Sequence, residues 1–319
     1  MSKTLTFYFF NSLVPEMTFD THQEELDFLD SMGFSTNPFN KIANSIDQAW
    51  EISQELSKNK QDLNYPIDGL VIKLNNNHLV EELGVVGKTP RGWCAVKFKA
   101  EEVTTKIVGV SWYVGRTGRI TPVADLEPVE LAGTTVKRAS LHNYKDFTEK
   151  NLHPGDTLVI RKAGDIIPEV VQVLTNLQQS TSTFIAPSNC PCCHSELVFS
   201  ETNVDLICKN PDCPDQVVLR LAYFAQRNIA NITGLSEKLI RKFVEKFGVK
   251  DIPDLYDLPY QQIQELEGFG QKSVENLANS IEKSKLIPDY KFLAGLGLEG
   301  VGPEVAKLIC AQIDQDDNT

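Results

Sequence analysis

Four cysteines carry the strongest chemical signal in this 319-residue chain. Cys190 and Cys193 are spaced C-x2-C, Cys208 and Cys213 are spaced C-x4-C, and fourteen residues separate the pairs. Two such turns can present four thiolates to one zinc ion at about 2.3 Å, leaving no position for water, which makes the ion structural and not catalytic. The alternatives are two disulfides or unligated buried thiols; disulfides suit secreted chains, and the sequence shows no signal-peptide pattern. Cys192 and His194 are spare candidate ligands. A second set combines a carboxylate with lysines. Asp68 lies in PIDGLVIK (66–73), where alternation puts Val71 and Lys73 on one face and Leu70 and Ile72 on the other. Lys97 and Lys99 share a face of WCAVKFKA (93–100). A carboxylate that can hold a divalent metal, beside fixed cations, suits phosphoryl or nucleotidyl transfer, because charge builds on phosphate oxygens in the transition state. Solvated strand lysines are the alternative, but Lys73 ends an otherwise apolar strand and Lys97 interrupts another.

The elements that must position these groups can be read from pattern. Thr4–Phe10 reads as an aromatic strand. Thr21–Met32 reads as a helix stopped at Gly33, and Ser45–Leu56 as a second helix with Ser45 as N-cap, whose apolar face (Ile46, Ala49, Trp50, Leu56) is interrupted by Ser53. Strands are expected over Pro66–Lys73 and Trp93–Ala100. Val103–Val114 and Asp156–Val173, with glycine turns at Gly115, Gly118 and Gly133 and around Lys162–Gly164, suggest a small barrel. A hairpin pairing Glu196–Phe199 with Val204–Ile207 fits between the cysteine pairs. Val217–Arg227 reads as a helix. Beyond it Gly234-Leu235-Ser236, Gly268-Phe269-Gly270 and Gly300-Val301-Gly302 each open a helix, with apolar residues six and nine positions later: Ile240 and Phe243, Val274 and Leu277, Ala306 and Ile309. This step fits helix-hairpin-helix units, whose glycines let backbone N–H groups approach a phosphate; a helical solenoid is the alternative. Lys238 and Lys272, each four residues after its glycine, are candidate phosphate neighbours or solvated helix lysines.

Composition is that of an ordinary soluble globular chain of two or three domains, 41% hydrophobic and 23% charged, with no run long enough to cross a membrane. Net charge is -12, yet residues 91–170 hold twelve basic and ten acidic side chains, close to +2. A basic stretch inside an acidic chain is compatible with a phosphate-binding surface. Five of seven cysteines fall within 190–213, which fits metal binding in a reducing cytosol.

DGLVIK followed by WCAVKFKAEE resembles the last two nucleotidyl-transferase motifs of bacterial NAD-dependent DNA ligases. The resemblance implies a catalytic or metal-supporting role for Asp68 and adenylate or phosphate contacts for Lys73 and Lys97; Lys99 receives no role. VGRTG-ITPVA, RA-LHN and IR-AGD-IP are similar to the OB-fold domain of the same ligases. This implies DNA-backbone contacts for Arg116 and Arg161, with salt bridges as the alternative, and makes His142 and Asn143 part of the signature; a hydrogen-bonded turn histidine is the favoured reading of His142. The family also carries a zinc finger and a helix-hairpin-helix tandem in this order. The resemblance therefore implies four parts: 1–102, the C-terminal part of an adenylation domain; 103–185, an OB barrel; 186–216, a four-cysteine zinc finger; and 217–319, an incomplete helix-hairpin-helix array. It implies a multidomain α+β chain, a cytoplasmic monomer that seals nicks in duplex DNA during replication and repair, with NAD as AMP donor, structural zinc, and magnesium or manganese. The family's nucleophilic lysine lies in K-x-D-G. Here the one D-G is Asp68-Gly69, with Pro66 two residues before Asp68. The chain is therefore expected to be a fragment, beginning inside the adenylation domain and without the family's BRCT domain, that cannot take AMP onto itself. The rival class is a non-catalytic nucleic-acid-binding module, from which Asp68, Lys73 and Lys97 discriminate.

Overall fold

The computed structural model describes residues 5–12, 17–63, 65, 67–87, 89–163, 167–174 and 182–316. The chain divides into two compact units, 1–101 and 102–162 with 167–319. Among the described residues no helix is long and apolar enough to cross a membrane.

The first unit contains α1 (His22–Ser31), α2 (Ile46–Lys58), β1 (Gly69–Lys73), α3 (Asn77–Leu83), β2 (Val85–Val86), β3 (Thr89–Pro90) and β4 (Trp93–Lys97). Thr21 and Glu24 form a reciprocal capping box that starts α1, and Leu26 and Leu29 bury its inner face. The first turn of α1 is tied to the chain just beyond β1. His22 N donates to the Asn75 carbonyl at 2.8 Å, and Gln23 N to Asn75 Oδ1 at 2.9 Å. Ser45 caps α2 by accepting from Gln48 N. Of the expected face of α2, Ala49 is buried together with the interrupting Ser53, whereas Ile46 and Trp50 are exposed. Ser53 tolerates burial because its hydroxyl donates to the Trp50 carbonyl at 2.7 Å. The expected strand at the N-terminal end is reduced to a single bridge between Phe9 and Thr36, with Leu5, Phe7 and Phe10 exposed. An aromatic run has strand character only where another strand pairs with it; Thr4 lies outside the described residues. The other two strands are shorter than expected, starting at Gly69 and ending at Lys97; Pro66 also lies outside the described residues.

The second unit opens with β5 (Glu102–Val114), β6 (Arg119–Leu131), β7 (Thr134–Ser140), α4 (Tyr144–Lys150), β8 (Thr157–Ala163) and β9 (Ile167–Val173). The five strands close in the order β6-β5-β8-β9-β7 and back to β6. Along β6, Ile120, Pro122, Ala124 and Leu126 alternate inward, the period of a half-buried strand. Gly164, expected in the turn between β8 and β9, lies outside the described residues.

β10 (Leu197–Phe199) and β11 (Leu206–Cys208) follow as a hairpin. It pairs Leu197 with Cys208 and Phe199 with Leu206, a shift from the expected register. The cause is that β11 also pairs with barrel strand β6, Leu206 opposite Ile120, while Cys208 N donates to the Gly118 carbonyl at 2.8 Å. A small core of Val114, Ile120, Leu206 and three of the cysteines joins hairpin to barrel.

The remaining helices are α5 (Pro214–Ala225), α6 (Glu237–Phe247), α7 (Tyr260–Gln264), α8 (Gln271–Ser284), α9 (Asp289–Gly295) and α10 (Pro303–Asp316). The first starts earlier than expected because Pro214, with no N–H to leave unpaired, suits the first helical position directly after Cys213. The helices pack as consecutive pairs, α5 with α6, α7 with α8 and α9 with α10. Gly234, Gly268 and Gly300 precede the second helix of each pair at φ of 89°, 86° and 76°, a conformation open to glycine. Ile240, Phe243, Val274, Leu277 and Ala306 are buried, but Ile309 in the third pair is exposed.

Candidate functional site

β1 and β4 form a two-stranded antiparallel ribbon in which Gly69 faces Lys97 and Lys73 faces Trp93. Residues directly opposite share a face, so Lys73 and Lys97 lie on one face at opposite ends, about 13 Å apart along the strands. Gly69 is required by close approach: a Cβ there would sit 2.3 Å from the Val96 carbonyl oxygen. Asp68 extends the ladder by accepting from Phe98 N at 3.0 Å. The Lys97 ammonium is ion-paired with the Asp68 carboxylate, and this hydrogen bond holds the carboxyl below its usual range. The side chains are 64% and 44% exposed, so the pair contributes less than about 1 kcal/mol and is easily exchanged for a metal ion or a phosphate. Lys99 is exposed on the chain just past β4.

Lys73 has a different setting. Its Nζ lies 3.0 Å from His22 Nε2 and 3.4 Å from the Phe10 carbonyl oxygen. It stands 4.2 Å from the centre of the Trp93 ring and 5.3 Å from that of Phe10. Burial lowers its pKa, and the negative charge of Glu25 works against that shift. His22 and Glu25, Lys73's polar surroundings, were missed by sequence reasoning. The available signal was H-x-x-E in the first turn of α1, which puts both side chains on one helix face.

The four cysteine thiols at 190, 193, 208 and 213 converge, every Sγ within 4.8 Å of the others. Cys190 and Cys213 are 3.9 Å apart, and Cys193 and Cys208 are 3.5 Å apart. A tetrahedron with 2.3 Å metal–sulfur bonds has edges of about 3.8 Å, so the set fits a single ion. All seven cysteines are free thiols, which rules against the disulfide alternative here. Burial pushes the Cys208 thiol up to about 11 and the Cys213 thiol higher still. Burial acts on Cys193 the same way, but hydrogen bonds, those to Ser195 foremost, bring it down to about 6. Four adjoining thiolates therefore need a cation, which is what a metal supplies. Cys192 and His194 stand outside the converging set. His194 serves the turn instead, with φ of 60° and its N–H donating to the Cys190 carbonyl at 3.0 Å.

The four basic residues expected at DNA are differently disposed. Arg116 is engaged within its own unit: Nη1 donates to the Gly297 carbonyl at 2.9 Å, and the guanidinium stacks 4.3 Å from the centre of the Tyr223 ring. Arg161 pairs with Glu169 at 2.6 Å. The same Glu169 carboxylate lies 3.4 Å from His142 Nε2, so His142 adjoins the Arg161–Glu169 pair as well as holding a turn at φ of 60°. Asn143 caps α4, its side chain accepting from Asp146 N at 2.8 Å. Lys238 and Lys272 are exposed in the first turns of α6 and α8. The third pair breaks this pattern: four residues after Gly300 comes Glu304, held by Lys307 at 2.9 Å.

Comparison with known proteins bears on this arrangement. Residues 2–101 match the model of the NAD-dependent DNA ligase adenylation domain, and residues 104–182 that of the NAD-dependent DNA ligase OB-fold domain. A DNA ligase of Listeria monocytogenes serotype 4a (strain HCC23) is 45% identical over 304 residues, covering 95% of this chain and 45% of the relative. The DNA ligase of Bacillus subtilis (strain 168) is 45% identical over 304 residues, covering 95% of this chain and 46% of the relative. That of Bacillus cereus (strain AH187) is 43% identical over 305 residues. The chain thus spans slightly under half the length of these relatives.

Proposed function

The chain belongs to the NAD-dependent DNA ligase family, and from that premise we propose that it carries part of the machinery that seals nicks in duplex DNA. The complete reaction transfers AMP from NAD to a lysine with release of nicotinamide mononucleotide, then from the lysine to the 5′-phosphate of the nick, and ends when the 3′-hydroxyl attacks that phosphate and displaces AMP. The observation that carries this reading is Lys73 and Lys97 on one face of the β1–β4 ribbon with Asp68 at its end, inside the adenylation-domain match. Lys97 leaves Asp68 to meet the adenylate phosphate, Lys73 contacts the adenylate from the other end, and Asp68 is freed to support a metal. Magnesium or manganese held there would supply positive charge to the phosphate oxygens. Zinc in the four-cysteine set is structural: Cys208 is tied to the barrel through Gly118, and to α5 through Gln216 Nε2, which donates to its carbonyl at 2.9 Å. The three helix pairs act as helix-hairpin-helix units that follow the DNA backbone through Lys238 and Lys272. Arg161 joins them on release from Glu169, and Arg116 on release from Gly297. The protein works as a cytoplasmic monomer in replication and repair.

The sequence contains no Lys-x-Asp-Gly, which favours a second reading for this chain alone, a nucleic-acid-binding module without catalysis. One experiment separates them. The purified chain is given a nicked duplex whose 5′-phosphate already carries AMP, and separately NAD with radiolabelled adenylate. Sealing of the adenylated nick without labelling of the protein supports the ligase reading. Labelling from NAD overturns the proposal that the chain cannot take AMP onto itself. Tight binding of the nick with no sealing leaves the binding module.

A further inference from the structure

Lys73 sits at the end of a chain of three polar side chains. Glu25 is buried at 6% exposure and has both carboxylate oxygens occupied: Oε1 accepts from Ser12 N at 2.5 Å, and Oε2 lies 2.9 Å from His22 Nδ1. A carboxylate oxygen at Nδ1 favours the tautomer with its proton on Nδ1, which leaves the Nε2 lone pair facing Lys73. That lone pair is 3.0 Å from Lys73 Nζ. The backbone that carries the imidazole is fixed as well: the His22 N–H is bonded to the Asn75 carbonyl at 2.8 Å and the Thr21–Glu24 capping box holds this turn of α1. The rings of Trp93 and Phe10 flank the ammonium, and their faces favour a cation.

We propose that His22 and Glu25 are positioning residues for Lys73: the carboxylate sets the imidazole tautomer, and the imidazole takes one ammonium hydrogen while the Phe10 carbonyl takes a second at 3.4 Å, so that the third points in a fixed direction. The proposal rests on the reading of Lys73 as a contact to the adenylate. An ammonium on a four-carbon stem is otherwise free to rotate and loses side-chain entropy when it meets a phosphate. Tethering the ammonium through His22, beside the Phe10 carbonyl, removes much of that loss before the ligand arrives, the advantage of a preorganised site.

Two measurements on the full chain test this, one of which does not depend on activity. The nitrogen spectrum of His22 should show Nδ1 protonated and Nε2 bare, and the Nε2 signal should move in Lys73→Met. A protonated Nε2, or a signal indifferent to Lys73→Met, overturns the contact. The second measurement is sealing of a 5′-adenylated nick. In His22→Gln the side-chain oxygen can reach the position of Nε2, so turnover should stay within about threefold of the parent. In His22→Asn the oxygen falls nearer Nδ1, and turnover should drop about 10- to 100-fold, by analogy with groups that orient metal ligands, as it should in Glu25→Gln. A role in packing alone would make Asn and Gln alike, and equal rates for the two overturn the proposal. If the spectrum shows the coupling but Lys73→Met seals at the parent rate, the contact stands and the reading of Lys73 as an adenylate ligand falls.

Discussion

Among the described residues of the first unit, the buried apolar side chains are Leu26, Leu29 and Ala49, while Leu5, Phe7, Val85 and Val86 are among those left exposed. The second unit assembles three apolar clusters, one in the barrel, one where barrel meets cysteine hairpin, and one running through the helix pairs. The groups proposed for chemistry lie on the first unit's short ribbon, and a two-stranded ribbon is marginal by itself. Asp68 and Lys97 are therefore placed by each other and by a few local bonds. The four cysteines are placed by strand pairing, a shared core and the start of α5 at once. The contrast separates groups that must exchange partners during a reaction from groups that must not move.

Metal removal tests the rigid side of the contrast and should have the largest effect. Structural zinc supplies on the order of 10 kcal/mol in small domains. Stripping it with a chelator should lower the melting temperature of the second unit by tens of degrees, at about 2–4 °C per kcal/mol. Amide exchange should rise at 186–216 and not in α1; an equal rise in both would erase the distinction. Next, Phe243→Ala removes a fully buried ring and should cost about 3–5 kcal/mol in urea unfolding. A cost below 1 kcal/mol would mean that the helical cluster is as loose as the first unit.

Lys97→Ala inverts the pattern. It should slow sealing of an adenylated nick by about 10²- to 10³-fold, as loss of one electrostatic group does, while unfolding moves by less than about 1 kcal/mol. Because Lys97 holds the Asp68 carboxyl low, the pair stabilises fully above the ordinary carboxylate range, near pH 4. That small contribution disappears as pH falls through the lowered value, and acid titration of Lys97→Ala should lack it. A smaller effect is expected of Gly297→Ala. Its φ is 70°, and a Cβ would lie 2.3 Å from Arg116 Nη1. The cost should be about 1–2 kcal/mol, with faster exchange at 296–302. The least effect belongs to the exposed lysines. Lys238→Ala and Lys272→Ala should each reduce the salt slope of DNA binding by about one without altering unfolding.

Spacing made the converging four-thiol cluster legible, because two cysteine pairs on two turns constrain geometry within a short segment. The barrel strands and the starts of α6, α8 and α10 were legible for the same reason: alternation, capping and glycine turns act over a few residues. Which face of α2 is buried was not, since Trp50 is more apolar than Ser53 yet stays exposed. Nor was the setting of Arg116, whose partner Gly297 is 181 positions away.

By itself the sequence determined the types of group this protein can bring to bear, four thiols for one ion and a carboxylate with lysines on short strands, because residue chemistry and short-range backbone preference are written locally. Tertiary structure alone decided which of those groups stand free and which are held. Lys97 pairs with the Asp68 carboxylate, Lys73 meets an imidazole 51 positions earlier, and the cysteine hairpin becomes an extension of the barrel. Such pairings depend on how separate elements pack, and packing energy is summed over contacts that no local pattern contains.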